Sequence, residues 1–302
     1  MRRAVDPDAL IDARPSVQAA LAVGADALRS AGVESAPVDA EWLLAGALRI
    51  SHGALSAEPR RTLEAPEAGW YVAALRRRMK REPLQHILGS QPFRQVTVRV
   101  TADAMVPRPE TELLAQWALD LLPRGPRPLV IDLGTGTGCI ACAIASERPD
   151  AEVIALEASP RAAMLARENV AALGLSGRVS VEVSELFTAL GTRRADVIVS
   201  NPPYLPTGLI ASLAPEVSQY DPRGALDGGA DGLRVIRRLV AEAPQRLAPG
   251  GALVLETAGG EQARAVVTLM EAVGFTGIET RRDLAGVERF VAGSLGSCPP
   301  AS

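Results

Sequence analysis

The apolar positions of this chain change period along its length. As far as about Arg81 they recur at helical spacing between charged residues, as at Val17, Leu21 and Leu28 and again at Trp42, Leu43, Leu44 and Leu48, with Pro37, Pro59, Pro66 and Pro83 as punctuation. This predicts a small helical domain over residues 1–82. Between Pro83 and Pro109 the pattern alternates, Phe93 being followed by Val96, Val98 and Val100, which predicts a β-hairpin connector over residues 83–106. From Arg108 onward short apolar segments (Leu129 to Ile131, Val153 to Leu156, Val179 to Val183, Val197 to Val199, Ala252 to Leu255) alternate with helical ones (Cys139 to Glu147, Pro160 to Leu173, Leu233 to Leu247, Gln262 to Val273). That alternation predicts an α/β domain over residues 107–295, built on a doubly wound, mostly parallel sheet. Ile278 to Arg282 and Arg289 to Ala292 are separated by too few residues for a crossover, so the last strand is expected to run antiparallel. Residues 296–302 read as a loose Pro/Ser tail.

The chain has 302 residues with 47% apolar content, enough for one large domain and a small one. A net charge of -3 argues against binding nucleic acid through bulk charge. The basic cluster of Arg60, Arg61, Arg76, Arg77, Arg78, Lys80 and Arg81 reads as a solvated helix face. No apolar run approaches the ~20 residues that span a bilayer, and Met1-Arg2-Arg3 leads into Asp6 and Pro7, so no membrane association and a cytoplasmic location are expected. Cys139 and Cys142 read as buried helix residues and Cys298 lies in the tail, a usage that suits a reducing compartment. His52 and His86 lack partners at metal-ligand spacing, and no metal site is expected.

Two segments carry candidate chemistry. After the first strand of the α/β domain comes Asp132-Leu133-Gly134-Thr135-Gly136-Thr137-Gly138 and then a helix. Glycines let ligand atoms approach the backbone, and a helix N-terminus offers free N–H groups to a carboxylate. A dinucleotide fingerprint would want glycine where Cys139 stands, so Gly-x-Gly-x-Gly preceded by an acid fits S-adenosylmethionine better. Glu157, at the end of the second strand, is placed to accept from both hydroxyls of a ribose, which NAD shares. Ser184-Glu185-Leu186-Phe187 follows the third strand, where an adenine ring would be flanked.

The second segment is Asn201-Pro202-Pro203-Tyr204, where the strand Ala195 to Ser200 runs out at the edge at which open α/β sheets hold ligands. Asn offers an amide acceptor, the prolines remove two backbone donors and Tyr supplies a flat face. Together they form a slot for a planar NH2 group, although Asn-Pro also marks ordinary turns. Just before the sheet, Pro107-Arg108-Pro109-Glu110-Thr111-Glu112 joins a rigid entry to acidic residues in a helical first turn, and is expected to close over the cofactor or the substrate.

The ensemble resembles the release factor glutamine methyltransferases, the HemK/PrmC family, over nearly the whole chain. The matching residues include Glu82 to Gly89, Pro107 to Glu112, Asp132 to Gly138, Ser200 to Tyr204, Glu216 with Tyr220-Asp221-Pro222, Gly228 to Leu233, and Asp283 with Gly286 and Arg289. The resemblance implies a class I S-adenosylmethionine-dependent fold with a seven-stranded sheet, and methylation of the side-chain amide of the Gln in the Gly-Gly-Gln loop of peptide chain release factors. It implies that Gly134, Thr135, Gly136, Thr137, Gly138, Glu157, Leu186 and Asn201 bind cofactor. It further implies that Asn201, Pro202, Pro203 and Tyr204 bind the glutamine, with Asn201, Pro202 and Tyr204 catalytic. Glu157 stands where the family usually has Asp, and Leu186 where many members carry Trp, which weakens the expected stacking on adenine. Adenine-N6 DNA methylation, which shares Asn-Pro-Pro-Tyr, and a non-catalytic adaptor are the rival readings.

Overall fold

A computed structural model describes residues 6–296; residues 1–5, and the predicted tail with Cys298 from residue 297 on, lie outside the described residues. The chain divides into two compact units. One is helical and runs through Gly89, past the expected limit at residue 82, and it also takes in Ala214–Tyr220. The other comprises Ser90–Leu213 and the chain from Asp221 onward.

The helical unit contains Ala9–Ala13, Val17–Ser30, Ala36–Leu48, Ala65–Met79 and Leu84–Leu88. Its starts follow from local chemistry: Ser16 Oγ accepts from the Ala19 N–H at 3.2 Å, and Glu64 and Glu67 form a reciprocal capping box. The last helix occupies the first part of the expected connector. Val17, Leu28, Leu43, Leu44 and Tyr71 are buried together. Trp42 departs from the periodic reading: it lies at the surface, stacked on His52 at 4.5 Å between ring centroids.

The basic cluster is not simply a solvated face. Arg78 is buried, its Nε donating to Asp39 Oδ2 at 2.6 Å and its Nη1 to Glu216 Oε1 at 2.8 Å. Arg81 donates to both oxygens of Glu216, at 2.6 and 2.8 Å. Arg61 pairs with Glu67, Arg76 with Asp8 and Arg77 with Glu82. Arg78 is the charge taken from water, and Asp39 and Glu216 supply the partners it needs; Arg60, Arg76, Arg77 and Lys80 remain exposed, as a solvated face would be.

The second unit opens with the hairpin β1 (Ser90–Phe93) and β2 (Val96–Arg99). Its sheet has seven strands: β3 (Leu129–Leu133), β4 (Glu152–Glu157), β5 (Val179–Val183), β6 (Ala195–Ser200), β7 (Leu247–Glu256), β8 (Phe275–Arg282) and β9 (Glu288–Leu295). The order is β5-β4-β3-β6-β7-β9-β8. All pairings from β5 to β7 are parallel, while β9 is antiparallel to both neighbours, as expected for the last strand. Alternation along each strand sorts the core. Val130, Val153, Val197 and Val254 meet Leu114, Ile140 and Ala163 on one face, while Ile131, Ile154, Ile198 and Leu253 meet Ile236, Leu239 and Val266 on the other. Strand order reverses between β3 and β6, the switch point at which such sheets form a crevice.

Candidate active site

The register places the chemistry. Leu133 pairs with Leu156 on one side and Ser200 on the other, and Ser200 pairs with Leu255, so that the residues following β3, β4, β6 and β7 emerge along one edge. Ser200 Oγ donates to the Leu133 carbonyl at 2.7 Å and ties the central pair. A cavity of about 610 Å³ opens here. Gly134 to Thr137, Glu157, Leu186 and Asn201 to Pro203 line it, together with Arg108 and Thr111 from the segment before the sheet.

The glycine loop is built for close approach. Gly134 and Gly136 have φ of +72° and +56°; a Cβ at Gly134 would meet nothing within 4 Å, and one at Gly136 only Ala104 Cβ at 3.9 Å, so both leave bare backbone beside open space. Asp132, fully buried beneath the loop, accepts on Oδ2 from Thr135 Oγ1 at 2.5 Å and from the Ala141 N–H at 3.1 Å. Burial pushes its carboxyl up to about 7, against those two hydrogen bonds and with help from the charge of Glu157. Asp132 Oδ1 and the Thr137 hydroxyl are buried oxygens with no hydrogen-bond partner, and of the two residues Thr137 lines the cavity. The Glu157 carboxylate is held between the Gly136 N–H on Oε2 and the Ser159 N–H on Oε1, each at 2.9 Å, and each oxygen retains a further lone pair for a hydroxyl.

Leu186 is buried with φ +49°, in a left-handed conformation that leucine rarely adopts. Ser184 holds it there: its Oγ donates to the Leu186 carbonyl at 2.7 Å and accepts from the Ala189 N–H at 3.0 Å. The donor set suits S-adenosylmethionine: an unpartnered Thr137 hydroxyl on the cavity wall for an ammonium, a carboxylate for a ribose diol, bare backbone at a helix N-terminus for a carboxylate, and an apolar wall at Leu186 for adenine.

Asn201 Nδ2 donates to Thr111 Oγ1 at 3.0 Å, and Thr111 Oγ1 donates to Glu256 Oε2 at 2.9 Å. Pro202 is buried and Pro203 half-buried, both on the cavity wall. Tyr204 is not among the cavity-lining residues. Its ring packs on the apolar core and its hydroxyl donates to Glu256 Oε1 at 3.2 Å, and burial followed by the Glu256 charge raises its pKa. The loop after Tyr204 is clamped from behind: Gln262 Nε2 donates to the Tyr204 carbonyl at 2.9 Å, and Gly228 and Gly232 lie so close that an added Cβ would stand 2.7 Å from the Pro203 carbonyl oxygen and 2.3 Å from that of Tyr204. Ahead of the sheet, Arg108 Nη2 donates to Asp221 Oδ2 at 2.6 Å.

Sequence reasoning brought Gly134 to Gly138, Glu157, Leu186 and Asn201 to Tyr204 to the fore. It named Arg108, Asp221 and Gly228 to Leu233 among the residues that carry the resemblance, without pairing the first two or giving the glycines a role, and it did not single out Glu256. A carboxylate closing an apolar strand at the ligand edge was the available signal for Glu256.

Residues 19–89 match the family model described as PrmC N-terminal domain, and residues 111–211 match the Methyltransferase small domain. A release factor glutamine methyltransferase of Geobacter sulfurreducens is 42% identical over 269 residues, covering 89% of this chain and 93% of that protein. A solved protein-(glutamine-N5) methyltransferase (release factor-specific) from Alicyclobacillus acidocaldarius is 32% identical, covering 66% of this chain and 99% of that one, with a TM-score of 0.40. The hMettl16 catalytic domain, 16% identical with a TM-score of 0.54 over 68% of this chain and 77% of that one, shares the fold. With these matches running through both the helical and the α/β parts, the chain belongs to the release factor glutamine methyltransferase family.

Proposed function

We propose that this protein transfers a methyl group from S-adenosylmethionine to the side-chain amide nitrogen of the Gln in the Gly-Gly-Gln loop of peptide chain release factors. One observation carries the reading: a single cavity is lined by the glycine loop, by Glu157 and by Asn201 to Pro203. Gly134, Thr135, Gly136, Thr137, Glu157, Leu186 and Asn201 would hold the cofactor, which when bound supplies an electrophilic sulfonium methyl group; Gly138 does not line the cavity and instead makes the left-handed turn, at φ +81°, into the following helix.

The protein's own task is to present a poor nucleophile, since an amide lone pair is delocalised into its carbonyl. Asn201 Oδ1 and the Pro202 carbonyl accept the two N–H groups of the substrate amide, leaving its π face as the direction of approach. Pro203 contributes no donor to compete. Tyr204, with its ring on the apolar core and its hydroxyl on Glu256, stands behind the slot and stiffens its end. The surplus proton leaves the amide along one of the two accepting oxygens to solvent. No fixed base is required, because the acceptors stabilise the positive charge that develops on the N–H groups.

Purified protein with tritiated methyl donor should label an intact release factor, and neither DNA nor a release factor whose Gly-Gly-Gln glutamine is replaced by alanine. Label in DNA, or undiminished label in the alanine variant, would overturn the assignment.

A further inference from the structure

The Thr111 hydroxyl stands between two polar groups, and it has only one proton to give. It accepts from Asn201 Nδ2 at 3.0 Å and donates to Glu256 Oε2 at 2.9 Å, while Glu256 Oε1 accepts from Tyr204 Oη at 3.2 Å. Glu256 ends β7 next to the row of Ser200 and Leu255, is 1% exposed, and does not line the cavity.

An ionised carboxylate is acceptor-only. It therefore commits the Thr111 proton to itself and leaves the Thr111 lone pair for the Asn201 NH2, so that Oδ1 is the end of Asn201 turned away from Thr111. A protonated Glu256 carries a proton of its own. It can donate to Thr111, whose proton is then free to point at Asn201 Oδ1, and the carboxamide can turn end for end.

We propose that Glu256 is a positioning residue: acting through Thr111, its ionised carboxylate decides which end of the Asn201 carboxamide is offered to the substrate, and through the Tyr204 hydroxyl it fixes the other end of the same loop. The kinetic part of this inference rests on the function proposed above; the orientation of Asn201 does not.

The groups facing Glu256 are Thr111 and Tyr204 by hydrogen bond and, by charge, Arg289 and Glu110. Arg289 is itself engaged, with Nε on Asp283 Oδ2 at 2.8 Å and Nη1 on the Thr257 carbonyl at 3.3 Å. Burial pushes Glu256 up to about 7, against Thr111, Tyr204 and Arg289. The hydrogen-bond chain thus reverses its polarity in the neutral range.

The test pairs side-chain amide NMR of Asn201, assigned with Asn201→Asp, with kinetics at saturating methyl donor. In the wild type the Asn201 NH2 resonances should follow one titration between about pH 6 and 8, and that titration should vanish in Glu256→Gln and Thr111→Val and persist in Thr111→Ser. Glu256→Gln should lower kcat about tenfold, the worth of one ordinary hydrogen bond, and flatten its rise with pH. Thr111→Ser should restore most of the rate lost in Thr111→Val. Asn201 resonances indifferent to pH in the wild type, or a Glu256→Gln variant with wild-type kcat and pH profile, would overturn the proposal. Should the wild type fail to label any release factor, the NMR arm still decides the positioning role, and the failure falls on the substrate reading alone.

Discussion

Asn201 gives one Nδ2–H to Thr111 Oγ1 across 3.0 Å, and so turns its carbonyl end away from Thr111. An amide substrate needs acceptors for its N–H groups, and a side chain free to rotate would offer donor and acceptor with similar frequency. Tethering removes that ambiguity before substrate arrives, which is preorganisation in the sense that lowers a barrier.

Asn201→Ala should lower kcat by about tenfold to a few hundredfold at saturating methyl donor, the equivalent of one positioned hydrogen bond of ~1 to 3 kcal/mol. Tritium transfer into release factor measures it. Full turnover by this variant would remove Asn201 from the catalytic set.

Leu186 walls the cavity without an aromatic face. Leu186→Trp should tighten binding of S-adenosylmethionine about three- to tenfold, since ring stacking contributes ~0.5 to 1.5 kcal/mol beyond area. Both residues bear the same strain at φ +49°, so calorimetry on the two proteins compares stacking directly.

Gly232 has φ +75°, and a Cβ there would lie 2.3 Å from the Tyr204 carbonyl oxygen and 2.6 Å from Gln262 Nε2. Gly232→Ala should cost about 2 to 4 kcal/mol in urea unfolding and depress kcat through the displaced loop. Gly174, at φ +69° with nothing within 4 Å, isolates the backbone part of that cost: Gly174→Ala should cost only about 1 kcal/mol and leave kcat unchanged. Equal losses at the two positions would mean that no clamp exists.

Asp132 has a folded-state pKa of about 7 against an ordinary 3.8, so the native state holds a proton that the unfolded chain releases. Its contribution to stability is complete below about pH 4 and is lost as pH rises through about 7, at up to about 1.4 kcal/mol per pH unit. Asp132→Asn, which keeps an acceptor for Thr135 and Ala141, should abolish that part of the decline between about pH 5 and 8. Urea melts of both proteins at the two pH values give the difference, and parallel curves would show Asp132 to be ordinary.

Glu216 shows the opposite sign. Burial works against its charge, but the hydrogen bonds from Arg81 and Arg78 prevail and pull it down to about 2 from 4.5. Its contribution is present above about pH 4.5 and lost as pH falls through about 2. Glu216→Gln should destabilise the protein by about 2 to 4 kcal/mol at neutral pH, because Arg78 keeps only Asp39 as a buried counter-charge. That deficit should shrink toward pH 2 in acid-titrated urea melts.

Much of this was legible along the chain. The parallel strands, the helix Cys139–Glu147 and the reversed last strand follow from period, glycine punctuation and connection length, which act over a few residues. Trp42 did not obey the periodic reading, because a helical stripe does not say how wide the buried face is, and a flat ring is satisfied by stacking on His52. The Arg78–Arg81 cluster was equally opaque. Its partners Asp39 and Glu216 are separated from Arg78 by 39 and 138 positions, and no local pattern pairs them.

By itself the sequence determined that a glycine turn, an acidic strand end and an Asn-Pro-Pro-Tyr loop would share one edge of an α/β sheet, because each is written in contiguous residues at the end of its own strand. Only the tertiary structure decided which way Asn201 faces. That depends on Thr111 meeting Glu256 across 145 positions, through a strand register set by side-chain burial on both faces of the sheet. Hydrogen-bond polarity needs atoms within about 3 Å of each other, and distance in space is what a linear pattern does not encode.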